Sequence, residues 1–118
     1  MNPNTATNEE LRDWLAGQEG YRKFDGAWKR YDSFDDWWHV HLDHPIPNTI
    51  DAAANCMPEG WRWTIEPDYD ASCFETRGER WAGYGPNEEE VYVARTADEA
   101  TDRFRLAAKA IQAMEDAE

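Results

Sequence analysis

The stretch His44-Pro45-Ile46-Pro47-Asn48-Thr49-Ile50-Asp51-Ala52-Ala53-Ala54, followed by Pro58-Glu59-Gly60-Trp61-Arg62-Trp63-Thr64-Ile65-Glu66, decides how the chain is read. A residue that precedes proline avoids the helical region, so Pro45 and Pro47 make a turn. Asn48 or Thr49 then caps a short helix whose apolar face is Ile50, Ala53, Ala54 and Met57. Pro58 and Gly60 close it. Trp61, Trp63 and Ile65 alternate with Arg62, Thr64 and Glu66, the period of a half-buried strand.

Working towards the N-terminus, Trp37 to Leu42 reads as a short strand that stops before Pro45. Tyr21 to Asp36 interleaves aromatic residues with charge. Its aromatics lie three to four apart, as on a helix, but Gly26 and the cluster Asp32, Asp35 and Asp36 favour a loop. The expectation for residues 21–36 is an irregular aromatic-acidic segment. Before it, Thr7 and Glu10 have capping-box spacing, and Leu11, Trp14 and Leu15 recur at helical spacing until Gly17 or Gly20. Residues 1–7 are polar and expected to be disordered.

Towards the C-terminus, Pro67-Asp68-Tyr69-Asp70 reads as a turn and Ser72 to Thr76 as a strand in a hairpin with the preceding one. Arg77 to Asn87, rich in glycine, is expected to be a loop, with room for a short strand near Trp81. Val91-Tyr92-Val93-Ala94-Arg95 has the highest β-branched content of the candidate strands. Thr96-Ala97-Asp98-Glu99 is a second capping box. The helix it opens has a face of Ala97, Ala100, Phe104, Ala107 or Ala108, Ile111 and Met114. The expected fold is α+β: one domain over residues 1–118, with a small antiparallel sheet of three to four strands sandwiched by N-terminal, middle and C-terminal helices.

With 25 Asp and Glu against 12 Lys and Arg, the formal net charge is −13. The carboxylates run from Glu9 to Glu118. Such a surface repels phosphates, so direct nucleic-acid binding is not expected, whereas a partner with a basic surface is attracted. Seven tryptophans fill a core poor in Leu and Ile, with two or three expected at a binding surface. Cys56 and Cys73 form no CxxC motif, which suits free thiols in a reducing cytoplasm. No apolar stretch approaches spanning length and no signal peptide is visible, so a soluble protein of the cytoplasm, without membrane contact, is expected.

These elements resemble the phage ABA sandwich family, small accessory proteins of phages and prophages. The likeness rests on an N-terminal helix with Leu11 and Trp14, the proline-rich turn entering the alanine-rich helix over His44 to Ala54, the strand Trp61 to Ile65, and the closing strand and helix from Val91-Tyr92-Val93-Ala94-Arg95-Thr96-Ala97. It covers most of residues 8–113. It implies a phage or prophage accessory role and carries over no catalytic residue.

His39-Val40-His41-Leu42-Asp43-His44 spells HxHxDH, the metal signature of metallo-β-lactamase-like hydrolases. His39 and His41 would share a strand face, and Asp43 and His44 would close in after it, a donor set suited to zinc. That family needs two βαβ-like halves and further ligands downstream, and this chain has no histidine after His44. A metal-dependent hydrolase is therefore the least favoured alternative, and no metal or cofactor is expected. Gly83-Tyr84-Gly85-Pro86 opens no helix and has no Lys-Ser/Thr, so it is no phosphate loop, and no Gly-x-Ser-x-Gly elbow exists.

The favoured expectation is a non-enzymatic acidic phage accessory protein in the host cytoplasm. It would inhibit a host nucleic-acid-handling defence complex, of the anti-CRISPR or anti-restriction type, by occupying a basic groove. The expected contact residues are Trp28, Tyr31, Asp32, Phe34, Asp35 and Asp36 in the aromatic-acidic segment, and Glu88, Glu89 and Glu90. The alternative is a sponge for a nucleotide signal, with Trp61, Trp63 and Tyr92 stacking a base on one sheet face and Arg62, Arg77, Arg80 or Arg95 near its phosphates.

Overall fold

The computed structural model describes residues 1–31, 37–41, 43–70 and 75–116, with side chains for 1–30, 43–68 and 78–116. The fold is α+β. Helix α1 spans Asn8–Gln18, strands β1, β2 and β3 span Tyr21–Phe24, Ala27–Tyr31 and Trp37–His41, and helix α2 spans Ile50–Asn55. Strands β4, β5 and β6 then span Arg62–Asp70, Glu75–Tyr84 and Glu90–Ala94, before helix α3 over Glu99–Asp116. The strands form two antiparallel sheets, each of three strands in sequence order, where one sheet of three to four was expected.

Helix α3 joins these parts. It touches β5 and β6 on one side and α1 and α2 on the other. Phe104, Ala107 and Ala108 belong to one core with Leu11, Leu15, Ala16, Trp28, Ile46 and Ala53. Leu106, next along the helix, belongs to a second core with Trp81 and Val93. The arrangement is thus sheet, α3, then α1 and α2, all on the inner side of the β4–β5–β6 sheet.

The caps follow the sequence at α1 and α2. Thr7 accepts from Glu10 N while Glu10 accepts from Thr7 N, completing the capping box, and Thr49 accepts from Ala52 N. At α3 the cap is Asp98, two residues later than expected. Its carboxylate accepts from Thr101 N at 3.1 Å and from Thr101 Oγ1 at 2.6 Å. Thr96 is drawn away by Asp102, which is fully buried and accepts from Thr96 N, Thr96 Oγ1 and Trp81 Nε1. A buried carboxylate needs such donors, and here they fix the β6–α3 connection to the middle of β5.

Four expectations are corrected. Residues 1–7 are held in place: Arg105 donates to Pro3 O and Ala6 O, Gln112 donates to Met1 O, and Ala6 is buried. Residues 21–31 form a hairpin rather than an irregular segment. Its two turn residues, Asp25 at φ 48° and Gly26 at φ 80°, both take the left-handed conformation of a type I′ turn, with Phe24 paired to Ala27 around them. Pro67 to Asp70 continue β4, which is an edge strand where a missing N–H is tolerated, with a bulge between Pro67 and Tyr69. The glycine-rich run is strand as far as Tyr84. At Gly83 a Cβ would stand 3.0 Å from Val91 Cγ2 and 3.6 Å from Leu106 Cδ1, so the small residue admits the helix rather than breaking the strand.

Two outcomes follow. Asp102→Ala strands the buried indole N–H of Trp81 and removes the acceptor of Thr96, and is expected to lower stability by about 2–4 kcal/mol in urea denaturation. Asp98→Ala is expected to cost about 1 kcal/mol at neutral pH. The hydrogen bonds from Thr101 hold the Asp98 carboxyl below its usual value, so the cap acts above the unfolded-state pKa and is lost as pH falls through the folded one. The difference in melting temperature between wild type and variant should therefore be constant above about pH 5 and shrink below about pH 4.

Candidate partner-binding surface

The pairing register sorts the β4–β5–β6 sheet into two faces, because paired residues share a side and neighbours along a strand alternate. Trp63, Ile65, Trp81, Gly83, Val91 and Val93 point towards α3. Arg62, Glu66, Arg80, Tyr84, Glu90 and Tyr92 point away from it. Among the described residues α3 is the helix with the main contacts to this sheet, and it packs on the inner side; on the outer face the side chains of Glu66, Arg80, Tyr84 and Tyr92 are half-buried and cover Ala82.

That outer face is tied together. Glu66 accepts from Arg80 Nε at 3.0 Å and Nη2 at 2.7 Å through one oxygen, and from the Tyr84 hydroxyl at 2.7 Å through the other. The Arg80 guanidinium lies 3.8 Å from the centre of the Tyr92 ring, and Tyr92 meets Tyr84 edge-on at 6.4 Å. Arg62 stands 5.8 Å from the Tyr84 ring, and the Tyr92 hydroxyl donates to Glu90. The Tyr84 and Arg80 hydrogen bonds hold the Glu66 carboxyl below its usual value. Donation to Glu66 pushes the Tyr84 phenol up, and donation to Glu90 does the same for Tyr92. The chemistry is that of a preformed recognition surface: the carboxylate stays ionised and occupied, and the phenols keep their protons.

The free edge of β6 is partly closed. Lys109 Nζ donates to Tyr92 O at 2.6 Å, taking a carbonyl that an added strand would need.

The expected site residues fall in different places. Trp28 is 6 % exposed and packs in the core, its ring 4.8 Å from that of His44, so its assignment to a docking surface is corrected: the hairpin turns it inward. Tyr31 ends β2, its side chain outside the described set, and Asp32, Phe34, Asp35 and Asp36 lie outside the described residues. Glu88 is exposed in the turn before β6, where it takes a φ of 67°, and Glu90 is exposed at the start of β6. Glu89 folds back instead: a Cβ on Gly85 would stand 2.5 Å from its carboxylate and 2.8 Å from Trp61 Cζ2. The Arg–Tyr–Glu network was missed, since its members are far apart in sequence and meet only through the strand register.

The tryptophans do not share a face with Tyr92, as the nucleotide reading required. Trp61 is buried and donates to Met114 Sδ, while Trp63, 39 % exposed, lies on the inner side beneath Arg103 at 4.1 Å. The cavity beside Trp63, lined by Ala53, Ala54, Met57, Arg103 and Leu106, measures about 10 Å³, room for about one water.

The His44 ring is occupied at both nitrogens. Nδ1 accepts from Ile46 N at 3.0 Å, which leaves Nε2–H to donate to Asp13 at 2.7 Å. This is a turn-stabilising histidine, not a metal ligand in this conformation. The side chains of His39 and His41 lie outside the described set, and among the described residues no group of three or more His, Cys, Asp and Glu is placed to hold a metal ion. The half-buried Cys56 thiol is pushed up to about 11 by burial and then by Glu19, so it is a poor nucleophile. Among the described residues no helix is long and apolar enough to cross a membrane.

No protein-family model, curated protein or solved structure matches the chain.

Glu66→Gln tests the outer-face network. Removing the carboxylate is expected to bring the Tyr84 phenol back towards about 10, seen as an earlier step in an ultraviolet titration of the tyrosines. The melting temperature should change little, because the pair is partly solvated.

Proposed function

We propose that the chain is a non-enzymatic binding protein for a protein partner with a basic surface. Of the functions that fit, the favoured one is a phage accessory protein that inhibits a nucleic-acid-handling defence complex of the host, of the anti-CRISPR or anti-restriction type. The observation that carries the reading is the pairing of Arg80 on the outer face, and of Arg95 at the end of the sheet, within the fold. Arg80 is clamped by Glu66, and Arg95 by Glu79 at 2.8 Å, in a chain where carboxylates outnumber cations 25 to 12. What the sheet offers is therefore tyrosine surface rimmed by exposed Glu88 and Glu90. Aromatic anchors with carboxylates in excess at their edge suit a partner of the opposite sign.

The nucleotide-sponge alternative draws less support. It needs arginines free to hold phosphates on the face that stacks the base, and the arginine nearest Tyr92 is already paired with a carboxylate.

The test is a tagged pull-down from a bacterial host lysate, eluted with rising salt and read by mass spectrometry. The expected result is a nucleic-acid-binding complex released by moderate salt and displaced by added DNA. Glu88→Lys/Glu90→Lys should weaken its capture about tenfold. Salt-insensitive capture, or a complex that still takes up DNA, would count against occupation of a basic groove.

A further inference from the structure

The β4–β5–β6 sheet has two outer strands, and the fold treats their edges differently. At β6, Lys109 Nζ reaches across from α3 and donates to Tyr92 O. At the far end of β4 stand two features that discourage strand addition: Pro67, which lacks an N–H, and the bulge between Pro67 and Tyr69. Between Arg62 and Glu66 the β4 edge carries neither. Among the described residues β4 has its main contacts with β5, so the backbone groups on its other side face away from the sheet.

Beside this edge lies an apolar surface that the sheet leaves uncovered. Trp63 and Ile65 alternate onto the inner face, and Trp63 remains 39 % exposed although Arg103 is stacked on its ring. Helix α2 continues that surface. Ile50 and Ala54, four residues apart, share one stripe, and Met57 follows just beyond the helix end. Ile50 is 41 % exposed, while Ala54 and Met57 are half-buried and meet Trp63 around the small cavity over Arg103 and Leu106. A strand added to β4 would stand about 4.8 Å from it, with its inner-face side chains against Trp63 and along this stripe. The surrounding charge is acidic. Residues 48–68 carry Asp51, Glu59, Glu66 and Asp68 against Arg62 alone. Glu66 is engaged by Arg80, and Glu99 holds Arg103 at 2.9 Å, so the exposed Asp51 and Glu59 set the sign here.

We infer that the β4 edge between Arg62 and Glu66 takes an extended segment of a protein partner as an added strand, one in which apolar residues alternate with lysine or arginine. The edge supplies main-chain hydrogen bonds, the surface of Trp63, Ala54 and Met57 takes the apolar side chains, and Asp51 and Glu59 attract the cations. A helix laid in the same place would leave the strand's backbone groups unpaired. A second copy of the chain would bring a net charge of −13 against its like. The inference adds a contact at a different surface from the tyrosine face, and rests on the partner proposed above only for the sign of its charge.

The test is fluorescence anisotropy of a dye-labelled octapeptide of alternating valine and lysine with the full chain, beside an octapeptide of alternating valine and glutamate, with hydrogen exchange locating the contact. The lysine peptide should bind with a dissociation constant of about 10–100 μM and slow exchange of the amides of residues 62–66, whereas the glutamate peptide should not bind. Trp63→Ala should weaken binding about tenfold, and Asp51→Asn/Glu59→Gln about fivefold, with circular dichroism confirming that each variant is folded. If Trp63→Ala does not fold, Ile50→Ala takes its place, with partial loss expected. Absence of binding at about 1 mM peptide, binding that Trp63→Ala leaves unchanged, or protection elsewhere than β4 overturns the inference. So does self-association that Trp63→Ala abolishes while the peptide goes unbound, which would assign the edge to a second copy of the chain. A chain that binds the peptide at β4 yet captures no complex from lysate keeps this inference and counts against the tyrosine face alone.

Discussion

Burial of α3 on two sides is the constraint on which the rest of the structure depends. A surface helix of a small domain covers one stripe, yet here Phe104, Ala107 and Ala108 face one core and Leu106 another, and all four are at most 1 % exposed. The run of small residues makes this possible. Alanine keeps helical propensity while leaving room for neighbouring elements, so α1 and α2 pack on one side and the β5–β6 ladder on the other. Gly83 answers from the sheet, its missing Cβ admitting Val91 and Leu106. Asp102 completes the joint with hydrogen bonds that bind the first turns of α3 to Trp81 and Thr96. An apolar residue there could fill the space but could not accept from the Trp81 indole.

How far the fold was legible follows from the range of the forces involved. The caps at Thr7 and Thr49 and the amphipathic face of α3 were readable, because each is local to a turn or two of chain. The β1–β2 hairpin was equally local and was still misread. Asp25-Gly26 is a strong hairpin signal, but the aromatics flanking it lie three to four apart, and that spacing competes with the alternation of a strand. The glycine-rich stretch was misread for a different reason. Glycine weakens a strand in isolation, and only contact with Val91, Leu106 and Trp61 explains why Gly83 and Gly85 belong where they are. The cap of α3 moved from Thr96 to Asp98 because a buried carboxylate six residues away competes for Thr96.

The candidate surfaces were less legible than the fold. Residues Glu88 and Glu90 could be named from their charge, yet Glu89 between them turns inward over Gly85, a distinction that depends on a single backbone turn. The Glu66–Arg80–Tyr84–Tyr92 network draws on three strands and depends on a register that pairs Glu66 with Arg80 and Ala82 with Tyr92. A slip of one residue would send Arg80 and Tyr92 to the buried side. Tryptophan alternation in Trp61-Arg62-Trp63 identified a strand but could not say which side of it is wet.

Charge shows most directly why a whole-chain sum is a coarse guide. The molecule measures 56 × 31 × 22 Å, whereas salt at physiological strength screens exposed charges beyond about 8 Å. Surfaces several screening lengths apart act as separate electrostatic objects at contact distance. The value of −13 governs slow approach, solubility and the repulsion of long polyanions. It does not govern what meets the β1–β2 hairpin, whose residues 21–31 carry four cations and one aspartate, or what meets the outer sheet, where the Arg80 charge is cancelled by Glu66. A chain with 12 cations and 25 acids keeps Arg80, Arg95 and Arg103 on glutamates and Arg12 and Arg105 on backbone carbonyls, so the carboxylates that remain set the sign of much of the surface.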